Sequence, residues 1–192
     1  GIRDCLLSRG LGDVYKRQLM NSSLFSFLEL VSTGLMFIAV IYSIFSIFKV
    51  NYFNPIVQIF VKIVDPFTKV FFGVNKSISG LIVAIVFKFL GLLSYVSSYS
   101  YILLISISFF EVLIVFFKIL FYFVIAGVVK SWVAPFTKND MWMIVEEVSN
   151  KILDPIRKFI PAIGGIDISP IFAFILLNSI NVFLAQLAVS IL

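Results

Sequence analysis

The chain has 192 residues, of which 61% are hydrophobic and 13% charged, with 15 Lys or Arg against 10 Asp or Glu. A mean hydropathy of +1.11 places it among membrane proteins, so its net charge of +5 reads as a bias of membrane loops, and no nucleic acid is expected as a partner. It has no His, and Cys5 is its one cysteine; imidazole and disulfide chemistry are excluded, and no catalytic, cofactor-binding or metal-ligating set is expected.

The first segment is polar, carrying Arg3, Arg9, Lys16 and Arg17 against Asp4 and Asp13. Its composition predicts a structureless arm. A secretory signal is excluded, because that needs an apolar core before a small-residue cleavage site. The stretch "SRGLGDVYKRQ" resembles an in-frame translation of a transposon-type sequencing adapter. Residues 1–19 are therefore expected to be a sequencing artefact, with Met20 the natural start. Setting them aside lowers the net charge by two and removes the only cysteine.

Four apolar runs then follow, each long enough to cross a bilayer of ~30 Å with about 20 helical residues. The first is 24–48, with Glu29 its only charge. The second, 78–96, contains Lys88, and the third lies within 101–129 with Glu111 and Lys118 inside it. The fourth, 170–192, has no charge; its polar residues include Asn178, Asn181 and Gln186.

Between the first two spans, 54–72 predicts an amphipathic helix. Asn54 is placed to cap it with Pro55 in the first position, and Asp65-Pro66 to restart a second short helix. Gln58, Lys62, Asp65 and Lys69 fall four, three and four apart and form one polar stripe. Between the last two spans, 142–160 repeats the pattern. Glu147, Lys151, Asp154 and Lys158 form the stripe, and Val145, Val148, Ile152, Ile156 and Phe159 lie opposite. Glu147–Lys151 and Asp154–Lys158 stand in the favourable i,i+4 order, each worth ~0.2–0.5 kcal/mol. Pro161 then stops the helix, Gly164-Gly165 permit a reversal, and Ser169-Pro170 read as cap and first position of the last span.

Both long connections are rich in Lys and Arg, whereas the one between spans two and three has no charge. The long connections should face the cytoplasm, leaving both termini outside, in a multi-pass protein of a bacterial inner (plasma) membrane. "VKIVDPFTKV" (61–70) aligns with "NKILDPIRKF" (150–159), pairing Lys62 with Lys151, Asp65 with Asp154, Pro66 with Pro155 and Lys69 with Lys158. An even number of crossings per unit makes the halves parallel repeats. The fold class expected is an all-α membrane protein with four transmembrane helices in two parallel repeats, 20–98 and 99–192, each with a cytoplasmic amphipathic helix.

"NPIVQIFVKIVDP" (54–66) and "DPIRKFIPAIGGIDISPIFAF" (154–174) resemble the YggT (YlmG-like) family of bacterial integral membrane proteins in its two-repeat form. The residues carrying this are Asn54, Pro55, Asp65 and Pro66, then Asp154, Pro155, Arg157, Lys158, Pro161, Gly164, Gly165, Asp167, Ser169 and Pro170. The first half departs from the family pattern at "TKVFFGVNKSISG". The resemblance implies a family without a defined enzymatic activity. Its bacterial members are linked with osmotic and potassium stress, and its plastid relatives with assembly of a cytochrome complex.

Two function classes stand on these residues. One is a non-enzymatic protein that organises or helps assemble envelope components, with anionic lipid headgroups, a membrane or cytoplasmic protein, or a second copy as partners. The other is a small ion transporter or channel subunit, because charges inside spans mark functional sites by default. Those charges are Lys88, Glu111 and Lys118. Lys88 lies ten residues into its span, and so does Glu111, which puts both near mid-depth on antiparallel neighbours and predicts a structural ion pair.

Overall fold

A computed structural model of the chain describes residues 2–71, 73–96, 99–137, 139–160 and 167–191, with side chains from Ser23 onward. Among the described residues the structure is helical, without strands: α1 (Ile2–Ile47), α2 (Pro55–Thr68), α3 (Lys76–Leu92), α4 (Tyr101–Val133), α5 (Asp140–Phe159) and α6 (Ser169–Ile191), with a short 3-10 turn Leu93–Tyr95 after α3. Four segments are long and apolar enough to cross a membrane: Ser23–Ile47, Lys76–Tyr95, Tyr101–Val133 and Ser169–Ile191. The chain is a multi-pass membrane protein.

α1 starts at Ile2 and runs without a break into the first span. The structureless arm expected from composition is therefore helical. A helix already nucleated by the span propagates at little cost through a neighbouring segment containing Leu6, Leu7, Leu11 and Leu19. Deleting Gly1–Leu19 is expected to leave membrane insertion and folded yield unchanged; a loss of expression on deletion would show that the arm belongs to the fold.

α3 packs antiparallel on the span part of α1, with small residues setting their separation. A Cβ on Gly80 would lie 2.4 Å from Ser43 Oγ, and one on Gly91 would lie 2.9 Å from Ser32 Cβ. Ala84 and Ala39 are fully buried. Small residues at helix crossings let backbones approach in lipid, where van der Waals contact replaces the hydrophobic drive. α4 packs on both α3 and α6, and Phe121 meets Phe174 of α6 edge-on at 5.3 Å.

α2 and α5 close one end of the bundle, beside the C-terminal end of α1. Their apolar faces serve the bundle: Val57 and Val64 of α2, with Val148 and Leu153 of α5, join Met36, Val40 and Ile44 of α1 in one core. Val145 is buried too, and Ile152 and Ile156 pack against the core, but Phe159 is 86% exposed. These faces therefore pack on protein.

Asn54 caps α2 as its sequence suggests, its Oδ1 accepting from Ile56 N at 2.9 Å, with Pro55 in the first turn. The Asp-Pro expectation differs. α2 runs through Pro66 and α5 through Pro155, with no restart at either. Each proline lies within the last five residues of its helix; in α2 the buried face continues past Pro66 to Thr68, and in α5 the partly buried Ile156 packs against the core beyond Pro155. Packing outweighs the ladder bond that proline removes. Asp65, freed from capping, accepts from Tyr42 Oη of α1 at 2.9 Å.

Candidate functional site

Polar side chains concentrate in two places: a cluster at the end closed by α2 and α5, and an ion pair inside the spans.

At the polar end α5 holds the α1–α2 turn. Lys49 has φ +48°, the left-handed conformation that ends α1, and Val50 N bonds back to Phe45 O at 2.9 Å. The carbonyls left at such a terminus need donors. Lys151 supplies them, donating to Phe48 O and, at 3.2 Å, to Lys49 O, while bonding Glu147 Oε1 at 2.7 Å. Glu147 Oε2 accepts from Asn51 N at 3.2 Å, and Asn54 Nδ2 donates to Asp140 O at 2.8 Å. The two halves of the chain are thus joined through side chain to backbone bonds.

A cleft of about 780 Å³ opens between the end of α4, α5 and the start of α6. Lys130 lies on its wall. The apolar run of the third span ends at Val129, but α4 continues to Val133 and buries Lys130, paired with Glu146. Gly127 lets α4 and α5 touch, since a Cβ there would meet Ser149 Oγ at 2.1 Å.

Arg157 is the hub of the cleft. Its Nη1 donates to Asn150 Oδ1 at 3.1 Å and Asp154 Oδ1 at 3.2 Å, and its Nε donates to Asp167 Oδ2 at 2.9 Å. Asp154 therefore pairs with Arg157, three residues on, and not with Lys158, which is exposed. The forked guanidinium satisfies several acceptors at once, where an ammonium offers only a point charge. Asp167, not Ser169, caps α6: its Oδ1 accepts from Ser169 N at 2.9 Å, and the helix already includes Ser169 and Pro170. A carboxylate reaches the orphan amide better than the short hydroxyl and also suits the positive end of the helix. Pro161, Gly164 and Gly165 lie outside the described residues.

Partial burial pushes the Asp167 carboxyl up, but the hydroxyl and amide of Ser169 and the Arg157 guanidinium outweigh it and hold it below the usual carboxylate range. A depressed folded pKa contributes stability that is present at neutral pH and lost as pH falls through that folded value. Asp167→Asn is expected to weaken the docking of α6 on α5 at pH 7 and to flatten the acid limb of a thermal-melt series. Arg157→Lys should cost about 1 kcal/mol, because one ammonium cannot replace the fork. An unchanged acid limb in Asp167→Asn would remove the carboxylate from this role.

Within the spans, Lys88 Nζ lies 2.8 Å from Glu111 Oε1. The Lys88 side chain is 6% exposed and that of Glu111 36%, and Lys88 also reaches Thr33 Oγ1 at 3.5 Å. One ammonium thus connects α1, α3 and α4. Lys118 does not join them: it is exposed on α4, two helical turns beyond Glu111. Nearer the other end, Tyr95 Oη donates to Glu29 Oε2 at 3.1 Å.

The CCB3/YggT family matches residues 106–188, which take in α5 and most of α4 and α6, and hence the walls of the cleft. An uncharacterized protein of Pseudomonas aeruginosa is 42% identical over 66 residues, 34% of each chain. The uncharacterized protein YggT of Escherichia coli K12 is 31% identical over 68 residues, 35% of this chain and 36% of that one.

Residues 106–188 belong to the CCB3/YggT family. These alignments span about a third of the length of either relative. An uncharacterized protein of Haemophilus influenzae is 26% identical over 147 residues, 72% of this chain and 78% of that one, so its similarity to this chain enters the first half as well. No solved structure matches the chain.

Proposed function

We propose that this YggT-family chain is a non-catalytic protein of the bacterial inner (plasma) membrane that organises or helps assemble other envelope components. The observation that carries the reading is the polar end. There α2 and α5 are held to the bundle by backbone-directed bonds from Lys151, Glu147 and Asn54, while Lys62, Lys69, Asp154 and Lys158 face outward. A rigid surface with fixed charges suits recruitment, because little ordering entropy is lost when a partner docks. The cleft's charges already neutralise one another in Lys130–Glu146 and Arg157–Asp167, a structural use that leaves the outward residues for contact.

The basic bias of both connections sets this end in the cytoplasm, with both termini outside, and gives Lys62 and Lys69 anionic headgroups as neighbours. The family resemblance adds osmotic stress as the setting in which such assembly matters. The transporter reading loses weight because Lys88 and Glu111 compensate each other and Lys88 is buried.

Photo-crosslinking residues placed at Lys62 and Lys158 in intact cells test the proposal. It predicts a small reproducible set of envelope proteins in the adducts. Adducts with lipid alone, or ion flux through the purified protein in vesicles, would overturn it.

A further inference from the structure

We propose that the exposed stripe of α4 around Lys118 is a docking face for a transmembrane helix of another protein that carries an Asp or Glu at mid-depth. This rests on the assembly reading above and names the chemistry of one partner. Lys118 is exposed, and among the described residues it has no hydrogen-bond or ion-pair partner. It sits in the middle of the 33-residue α4, twelve residues before Lys130, where the polar end begins. At helical rise that is about 18 Å. The Cα–Cβ bonds of a helix tilt toward its N-terminus, so on α4 they lean away from the polar end. The Lys118 side chain therefore leaves the helix toward the N-terminal half of α4.

Glu111, Lys118 and Tyr122 are seven and four residues apart and share one face, and Tyr122 is 54% exposed. Glu111 already neutralises Lys88, and Glu29 lies nearer the other end, bonded to Tyr95, so Lys118 has no counter-charge among the described residues. An ammonium facing lipid at depth costs ~2.5–3.5 kcal/mol, which a carboxylate on a docking helix relieves. Charge complementarity selects that occupant over two others. A second copy related by a two-fold axis along the membrane normal and packed through α4 would set Lys118 against Lys118. A phospholipid phosphate stays at the headgroup level, whereas Lys118 lies about 18 Å of helical rise from the polar end.

The test places a photo-crosslinking residue at Tyr122 in the full chain, in native membranes. The expected adduct maps to a transmembrane segment of another protein within about one helical turn of an Asp or Glu. Lys118→Gln should lower its yield about tenfold with folded yield unchanged, and Lys118→Arg should keep it. Lys118→Glu should abolish it, and changing the partner's acidic residue to Lys should restore it. Adducts with lipid or a second copy alone, full capture by Lys118→Gln, or a loss of folded yield in Lys118→Gln would each overturn the proposal. Crosslinks from Lys62 and Lys158 report on the polar end whatever Tyr122 captures, so the two readings fail separately.

Discussion

Glu111→Gln is expected to cost about 3 kcal/mol of stability, and Lys88→Met a comparable amount, while the double variant recovers most of the loss. The reasoning starts from burial. Lys88 has a 6% exposed side chain whose one charged partner is Glu111 at 2.8 Å. Taking away one member of a buried pair strands the other, which costs about 3–5 kcal/mol; replacing both with apolar or neutral groups of similar size is often neutral or better. Thr33 Oγ1 at 3.5 Å is too distant to take the place of the carboxylate. Folded yield in detergent and thermal midpoints of the four proteins measure the coupling directly. Additive losses in the double variant would show that the two residues do not act as a pair, and would return weight to a transport role for Lys88.

The second large effect is expected from Gly80→Val, which should cost about 1–3 kcal/mol by overpacking. A Cβ at residue 80 would come within 2.4 Å of Ser43 Oγ and 2.8 Å of the Tyr42 ring. Ser43 is fully buried, with its hydroxyl bonded to Ala39 O at 2.8 Å, so it has no room to withdraw. Tyr42 is buried as well, and its hydroxyl holds Asp65 of α2. The wedge would therefore part α1 from α3 and loosen α2 with them. Gly34→Val on the outer part of α1, where nothing lies within 4 Å, is the control and should change little. Equal behaviour of the two variants would show that close approach at Gly80 does not hold α1 and α3 together.

The parts of the fold legible in the sequence are those governed by local chemistry. The spans follow from apolar length. Asn54 before Pro55 announces a cap, because amide oxygen and proline satisfy the same helix end. Glu147 and Lys151 meet because i,i+4 residues face one another on any helix. The Lys88–Glu111 contact is also reachable, since depth in a bilayer turns residue counting into position.

The polar end resisted for the opposite reason. Whether Asp65 caps a helix or meets Tyr42 depends on where α1 lies, and no local spacing encodes that. Asp154 had two basic residues within reach, and the choice of Arg157 over Lys158 follows from Asp167 and Asn150 drawing the guanidinium to the cleft side. Lys130 looked like a loop residue because charges commonly end a span; its partner Glu146 sits on another helix. Gly80 and Ala84, four apart within an apolar run, were the available sign of close helix packing between α1 and α3.

The functional account depends on the end closed by α2 and α5 facing the cytoplasm. With Cys5 first changed to Ser, single cysteines at Lys76, Asp140 and Tyr99 can be challenged in intact cells with a membrane-impermeant thiol reagent. All three positions are exposed, so accessibility reports sidedness and not burial. The account predicts that cysteines at 76 and 140 resist until the cells are opened, whereas the one at 99 reacts at once. Labelling of 76 and 140 in intact cells, with 99 protected, would contradict it.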